Sequence, residues 1–263
     1  MQSLTIIARK DLSASWLLVS DVDDTLLGDD VALTAFAQEL QTNRENIIFT
    51  LNSSRPCASL RRSICQNPFI PPPDYIIGAL GTEIESGSGE PPISEYTTTI
   101  NLSWDRESIA ALMAELGLEA HPEEFQTTLK ASYTVTGHRQ YQQVLQHLDQ
   151  RDMDVKVIFS GNTNLDIIPR QAGKGTAIEY LRGMLGVDHQ RVVTAGDSAN
   201  DLDMFTPPNK AIIVANAEPS LKALKGEHIY QANAKYAAGL VEGLRYWAVF
   251  PRGPASRFDV PES

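Results

Sequence analysis

The sequence predicts a doubly wound α/β fold: a mostly parallel sheet covered by helices on both faces, with a small α+β unit inserted into it. Three observations carry the prediction. Short apolar runs without alternation recur at 16–19, 47–49, 75–79, 155–159, 192–195 and 212–215, as strands buried on both faces require. Helical patterns separate several of them, the order expected of a parallel sheet built from crossovers. A turn-rich stretch at 86–92 (SGSGEPP) opens a middle region that reads differently.

In chain order, the first run (Trp16, Leu17, Leu18, Val19) feeds an acidic loop, and the second feeds Thr50 to Pro56. After the turn-rich junction, a helix is predicted over 107–116 and stopped by Gly117. An alternating segment over 127–135 and a polar amphipathic helix over 139–149 follow. Further on, 173–185 places Ala177, Ile178, Leu181 and Leu185 at helical spacing. It stops at Gly186, a residue suited to the left-handed position after a helix. These signals divide the chain into a discontinuous core of 1–84 and 164–263 and an inserted cap domain of 85–163.

Charge narrows the function. The 263 residues carry 22 Lys+Arg against 33 Asp+Glu, a net charge of −11. So acidic a chain lacks the basic footprint of a nucleic-acid binder. A phosphorylated small molecule remains compatible, because it needs only a few local cations. Cys57 and Cys65 are too few for a disulfide scaffold and read as reduced thiols. No run approaches the ~18 apolar residues of a membrane span, and 1–15 lack the apolar core of a secretory signal. The expectation is a soluble cytoplasmic protein that engages neither membrane nor nucleic acid.

Four segments carry chemistry, each where a predicted strand ends or a helix begins. Ligands of open α/β sheets bind outside the carboxyl ends of the strands. The first segment, Ser20 to Asp29, holds Asp21, Asp23 and Asp24, carboxylates that repel one another unless a cation or protons intervene. It is not an EF-hand loop, because the twelfth position from Asp21 is Ala32. The second, Thr50 to Pro56, offers the Ser53 hydroxyl and helix-start amides to a phosphate, although it also reads as an ordinary helix start. The third, Ala172 to Thr176, fails the Walker A pattern at Ile168 and Gly175. Lys174 is nonetheless a cation at a helix start, where the dipole favours anions, and this suits a phosphate-facing role. The fourth, Thr194 to Asp201, sets Asp197 and Asp201 four residues apart, either as oxygen ligands for a hard divalent cation or as a capped acidic turn.

Asp21-Val22-Asp23-Asp24-Thr25, then Ser53, then Lys174, then Gly196-Asp197-Ser198-Ala199-Asn200-Asp201 is a motif set that resembles the haloacid dehalogenase (HAD) superfamily of phosphotransferases. Gly81-Thr82-Glu83-Ile84, Val157 to Ser160, Leu165 to Pro169 and Gly173-Lys174-Gly175 narrow the resemblance to the sucrose-phosphate phosphatase family of plants and cyanobacteria, over roughly 16–245. The resemblance implies a Rossmann-like core with a C2B-type cap and a Mg²⁺-dependent phosphatase. The implied substrate is a phosphorylated disaccharide, sucrose 6-phosphate first.

It further implies Asp21 as nucleophile through an aspartyl-phosphate. Asp23 is then general acid and base, its carboxyl raised by neighbouring carboxylates. Phosphate falls to Ser53, Ser54 and Lys174. Mg²⁺ falls to Asp21, the Asp23 backbone carbonyl, Asp197 and, in contact or one water removed, Asp201. Ser198 and Asn200 support the loop. Lys130, Ser132 and Tyr133 of a Lys-x-Ser-Tyr segment, with Asn164 and Asp166, are the implied sugar contacts, and Arg170 lies on the return to the core. Where many relatives have Thr-Gly-Arg, this chain has Ser53-Ser54-Arg55. A positive φ at Ser54 is therefore a source of strain, and Thr50 is the fallback hydroxyl. Alternatives are a phosphatase for another sugar or compatible-solute phosphate, such as mannosyl-3-phosphoglycerate, a phosphomutase, or a non-catalytic partner of sucrose-phosphate synthase. Association with that synthase and a monomeric state complete the expectations.

Overall fold

The computed structural model describes residues 14–89 and 92–251. Residues 1–13 and 252–263, and Glu90 and Pro91 of the junction, lie outside the described residues.

β1 (Trp16–Ser20) leads through the acidic loop to α1 (Asp30–Asn43), and β2 (Ile47–Asn52) leads to α2 (Cys57–Gln66). β3 (Tyr75–Gly78) and β4 (Glu83–Ser86) follow, then α3 (Ser94–Ile100) and α4 (Arg106–Glu115). β5 (Glu119–Ala120), β6 (Ala131–Thr134), α5 (His138–Gln150), β7 (Val155–Ser160) and β8 (Asn164–Pro169) complete the middle region. The chain then runs through α6 (Lys174–Leu185), β9 (Val192–Gly196), a 3₁₀ turn (Ala199–Met204) and β10 (Lys210–Ile213). It continues with α7 (Pro219–Lys222), β11 (Ile229–Gln231) and α8 (Tyr236–Tyr246).

One sheet has seven strands in the order β11-β10-β9-β1-β2-β3-β4. Every pairing is parallel except β3 with β4. The order reverses at β1, whose neighbours β2 and β9 come from opposite halves of the chain, so a crevice opens at its carboxyl end. The expected fold class is thus observed. One face is covered by Leu33, Phe36 and Leu40 of α1, Leu60 of α2 and Leu240 and Leu244 of α8. Tyr96 of α3, Ile178 and Leu181 of α6 and Leu221 of α7 cover the other. Asp29 caps α1 by accepting from the amides of Val31 and Ala32. Gly186 ends α6 at φ 69°.

The second sheet has four antiparallel strands in the order β5-β6-β8-β7. Here the structure corrects the sequence reading. The run at 155–159 is β7 of this smaller sheet, not a strand of the parallel one. Val155, Val157 and Phe159 meet the apolar cluster under α4 and α5, while Ile158 packs on the main core. A strand between two cores is apolar on both faces, the same pattern a central parallel strand shows. The expected boundaries do not follow the sheets either: β4 lies across 84/85, and 164–169, given to the core, pairs with β6 and β7 rather than with the larger sheet. The last apolar run is displaced too, since β10 spans Lys210–Ile213 rather than 212–215.

Candidate active site

Parallel pairing places Ser20 level with Leu51 and with Ala195, so the residues that follow three adjacent strands emerge together. They are Asp21 after β1, Ser53 after β2 and Asp197 after β9. Carboxylate oxygens of Asp21, Asp197 and Asp201 lie within 4.8 Å of one another, and all three residues are buried. Lys174, the first residue of α6, reaches in from the far side. Its Nζ is 2.6 Å from Asp21 Oδ1 and 2.6 Å from Asp201 Oδ1.

Asp201 is fully engaged by protein. Its Oδ1 receives Lys174, and its Oδ2 accepts from the amides of Asp197 at 3.0 Å and Ser198 at 3.1 Å. Asp197 accepts the Thr25 hydroxyl on Oδ1 at 2.8 Å. Oδ2 of Asp21 and Oδ2 of Asp197 have no hydrogen-bond donor among the described residues. Asn200 Oδ1 is likewise buried without a partner.

Burial works against the charge on Lys174, yet Asp201 and Asp21 outweigh it and hold the ammonium above its ordinary range. Burial pushes the Asp21 carboxyl well up, with Asp201 and Asp197 adding to the rise against the pull of Lys174. Burial, then the neighbouring Asp201, pushes Asp197 up to about 7. Three buried carboxylates facing one ammonium are short of positive charge. Two free carboxylate oxygens in a hard-oxygen set fit a divalent cation.

The side chains of Asp23 and Asp24 are not among these three clustered carboxylates. The Asp23 carboxylate is about half exposed and pairs with Arg55 Nη1 at 3.3 Å. Its side-chain partner is thus a guanidinium rather than a carboxylate. Ser53 is buried immediately after β2, and its Oγ accepts from the Arg55 amide at 3.2 Å. Ser54 is not among the residues with positive φ, so the strain considered for it does not arise. Thr50 lies inside β2, fully buried, with its hydroxyl unpartnered.

A cavity of about 400 Å³ lies between the two sheets' domains, lined by Ser54 and Arg55 on one side and His121, Lys130, Asn164 and Asp166 among others on the opposite side. Lys130 and Asp166 form a buried pair at 3.0 Å. Ser132 Oγ accepts from Lys130 at 2.7 Å and donates to Asp166 Oδ1 at 2.6 Å. Ser132 lies fully buried behind that pair. Tyr133 does not reach the cavity: strand alternation turns Ala131, Tyr133 and Val135 into the apolar cluster of the smaller domain. Arg170 is turned outward to Asp154 at 3.2 Å.

Several residues around the site escaped the sequence reading. Arg55 joins the cavity to Asp23. Asn52, at the end of β2, donates to the Lys174 carbonyl at 3.5 Å. Glu83 accepts the Cys57 amide at 2.8 Å and so caps α2. Cys57 is a buried thiol, pushed up first by burial and then by Glu83, and Cys65 is exposed; both are free. The adjacency of Glu83 to the Gly81-Thr82 turn was the available signal, but nothing local tied it to α2.

A parallel core split by an inserted domain, with a buried Asp–Lys–Asp cluster at its switch point, defines a phosphoric monoester hydrolase of the HAD superfamily. The chain belongs to the Sucrose-6F-phosphate phosphohydrolase family, whose profile matches residues 14–248. It is 30% identical over 246 residues to a mannosylfructose-phosphate phosphatase of Agrobacterium fabrum, covering 90% of this chain and 98% of that one. It is 27% identical over 263 residues to sucrose-phosphatase 1 of Nicotiana tabacum, covering 91% of this chain but 60% of that longer one. The solved sucrose-phosphatase of a Synechocystis, in complex with sucrose and phosphate, superposes with a TM-score of 0.83 at 26% identity, covering 90% of this chain and 99% of that one. The protein is a sugar-phosphate phosphatase. Among the described residues, no helix is long and apolar enough to cross a membrane.

Proposed function

We propose that the chain hydrolyses a fructose-containing disaccharide phosphate, sucrose 6-phosphate first, in a Mg²⁺-dependent reaction through an aspartyl-phosphate. The observation that carries the reading is the buried bridge of Lys174 between Asp21 and Asp201, with Asp197 alongside, beside a cavity that Arg55 links to Asp23.

Asp21 Oδ forms the bond to phosphorus as the bond from phosphorus to the sugar oxygen breaks. Asp23, half exposed beside Arg55, gives its proton to the departing oxygen. It then takes one from the water that attacks phosphorus and releases Asp21. The Ser53 hydroxyl and the Ser54 amide hold phosphate oxygens, and Lys174 stabilises the charge that gathers at Asp21. Asp21, Asp197 and the Asp23 carbonyl would hold Mg²⁺, with Asp201 behind them and Ser198 and Asn200 shaping the loop. Bound there, the cation offsets repulsion between carboxylate and phosphate, about 4 kcal/mol per pair of unit charges at 4 Å and an effective dielectric of 20. The inserted domain acts as the cap. Lys130, Asn164 and Asp166 meet the sugar, Ser132 fixes Lys130 and Asp166, and closure excludes bulk water.

A second reading, hydrolysis of mannosylfructose phosphate, is favoured by the 30% identity to the Agrobacterium fabrum enzyme over almost the whole of both chains. The two candidate sugars differ in the hexose joined to fructose, so the cap contacts decide between them. The test is phosphate release from both disaccharide phosphates and a panel of monosaccharide phosphates, with and without Mg²⁺, with Asp21→Asn as control. The expected result is Mg²⁺-dependent release, fastest from sucrose 6-phosphate and at least about 10³-fold slower in the variant. Full activity of Asp21→Asn overturns the mechanism. A preference for mannosylfructose phosphate replaces the substrate and leaves the mechanism standing.

A further inference from the structure

We propose that Asn216 is a positioning residue for Asp23, acting through the backbone of the loop that follows β1. The proposal rests on the assignment of Asp23 as acid and base given above. Asp23 needs help of this kind: its side chain is about half exposed, with a single-point contact at 3.3 Å to Arg55 Nη1. The orientation of Asp23 therefore depends on its main chain. The next residue, Asp24, adopts φ 61°, a left-handed conformation that a non-glycine residue holds only when its surroundings impose it.

Asn216 supplies that constraint. Its Nδ2 donates to the Asp24 carbonyl at 2.6 Å, while its Oδ1 accepts from the Tyr236 amide at 3.0 Å. One side-chain amide thus ties the loop to the start of α8. Tyr236 is itself left-handed at φ 52°, and its ring lies so close to Gly28 that a Cβ there would sit 2.4 Å from Tyr236 Cε1. On the other side, the Thr25 hydroxyl fastens the loop to Asp197 at 2.8 Å. The peptide that joins Asp24 to Thr25, one residue beyond Asp23, is held by these two anchors.

The segment that carries Asn216 also serves the second acidic loop. Two residues on, the Glu218 amide donates to the Asp197 carbonyl at 2.7 Å, and Glu218 Oε2 accepts from the Ala199 amide at 3.0 Å. The chain leaving β10 therefore braces the Asp23 loop with one side chain and the Asp197–Asp201 loop with another. Nothing in the acidic motifs themselves specifies either brace.

Leaving groups separate positioning of an acid from general structural support. A sugar oxygen needs a proton as it departs, whereas p-nitrophenolate does not. Misplacing Asp23 must therefore lower kcat/KM, which reports the steps up to departure of the leaving group, for the sugar phosphate and spare it for p-nitrophenyl phosphate, while the later attack of water is common to both substrates. The experiment measures kcat and KM on both substrates for the wild type, Asp23→Asn, Asn216→Ala and Asn216→Asp. Asn216→Asp keeps the acceptor for Tyr236 and loses the donor to Asp24, so it serves if the alanine variant fails to fold. Both Asn216 variants are expected to lower the ratio of kcat/KM on sugar phosphate to kcat/KM on p-nitrophenyl phosphate by about 10–100-fold. In an Asp23→Asn background, Asn216→Asp should lower the ratio no further. An altered ratio in Asp23→Asn with a wild-type ratio in both Asn216 variants overturns this proposal alone. A wild-type ratio in Asp23→Asn overturns the Asp23 assignment, and the proposal with it.

Discussion

Lys174 Nζ lies 2.6 Å from Oδ1 of Asp21, and the ammonium enters from the first residue of α6, the end of a helix that disfavours a cation. Its two carboxylate partners outweigh that penalty, because neither the lysine nor Asp201 has any exposed side-chain surface. Lys174→Met should therefore leave three buried carboxylates without their counter-charge. Loss of one member of a buried pair costs about 3–5 kcal/mol. The thermal midpoint should fall accordingly, phosphatase activity should vanish, and Mg²⁺ should raise the midpoint by more in the variant than in the wild type. Calorimetric scans with and without Mg²⁺ check this. An unchanged midpoint would show that the bridge is not what holds the cluster.

The same cluster makes cation binding depend on pH. Asp197 sits at about 7 in the protein against 3.8 for the free group, raised first by burial and then by Asp201, and Asp21 is displaced in the same direction. A raised carboxyl stabilises the cation-free fold fully below the unfolded value, and that contribution is lost as pH rises through the folded value. Cation binding has the opposite sign, since it requires the carboxylates and releases protons. Below pH 7 the apparent affinity for Mg²⁺ should gain about tenfold per pH unit for each proton displaced, and level off above it. Titration calorimetry in buffers of different ionisation enthalpy measures the released proton directly. Affinity that does not change between pH 5.5 and 7.5 would sink the linkage.

In the cap, Asp166 holds Lys130 at 3.0 Å and receives the Ser132 hydroxyl at 2.6 Å, with all three side chains buried. The lysine presented to the cavity is thus fixed from behind. Asp166→Asn should release it, and a lost charged hydrogen bond of about 1.5–3 kcal/mol corresponds to a 10–100-fold rise in KM for the disaccharide phosphate. Turnover of p-nitrophenyl phosphate, which has no sugar to bind, should stay within about twofold. Equal loss on both substrates would mean that the network supports the cap as a whole rather than the sugar.

What the sequence made legible follows from where strands end. Asp21, Ser53 and Asp197 were readable because each follows an apolar strand, and parallel pairing brings adjacent strand ends together. Lys174 was readable as a cation at a helix start. The sheet that owns Val155 to Phe159 was not, since coverage on two faces says nothing about the covering partner. Tyr133 was misread because its segment matched a sugar-contacting pattern, while alternation of Ala131, Tyr133 and Val135 gives it to the core of the cap. Arg55 against Asp23, Glu83 under α2 and Asn216 under Asp24 all depend on contacts between distant parts of the chain. No local spacing encodes them.

Gly81 shows how such a distant contact reaches the lysine. It has φ 80°, and a Cβ there would lie 2.1 Å from the Gly173 carbonyl oxygen and 2.7 Å from the Lys174 amide nitrogen. Both are backbone atoms that cannot swing aside. The Gly81 carbonyl is held in turn by the Tyr96 hydroxyl at 2.5 Å. Gly117 makes the comparison clean, because it has φ 70° but nothing within 4 Å of its Cβ position. Gly117→Ala should carry only the left-handed penalty of about 1–2 kcal/mol and keep full kcat. Gly81→Ala should carry that penalty and about 1–3 kcal/mol of overpacking besides. By displacing the loop that presents Lys174, it should also lower kcat by tenfold or more at a temperature where it remains folded. Chemical denaturation gives the stability difference, and steady-state rates below the transition give the catalytic one. If the two alanine variants lose the same stability and both keep wild-type kcat, the close approach of Gly81 to the Lys174 loop has no part in placing the lysine.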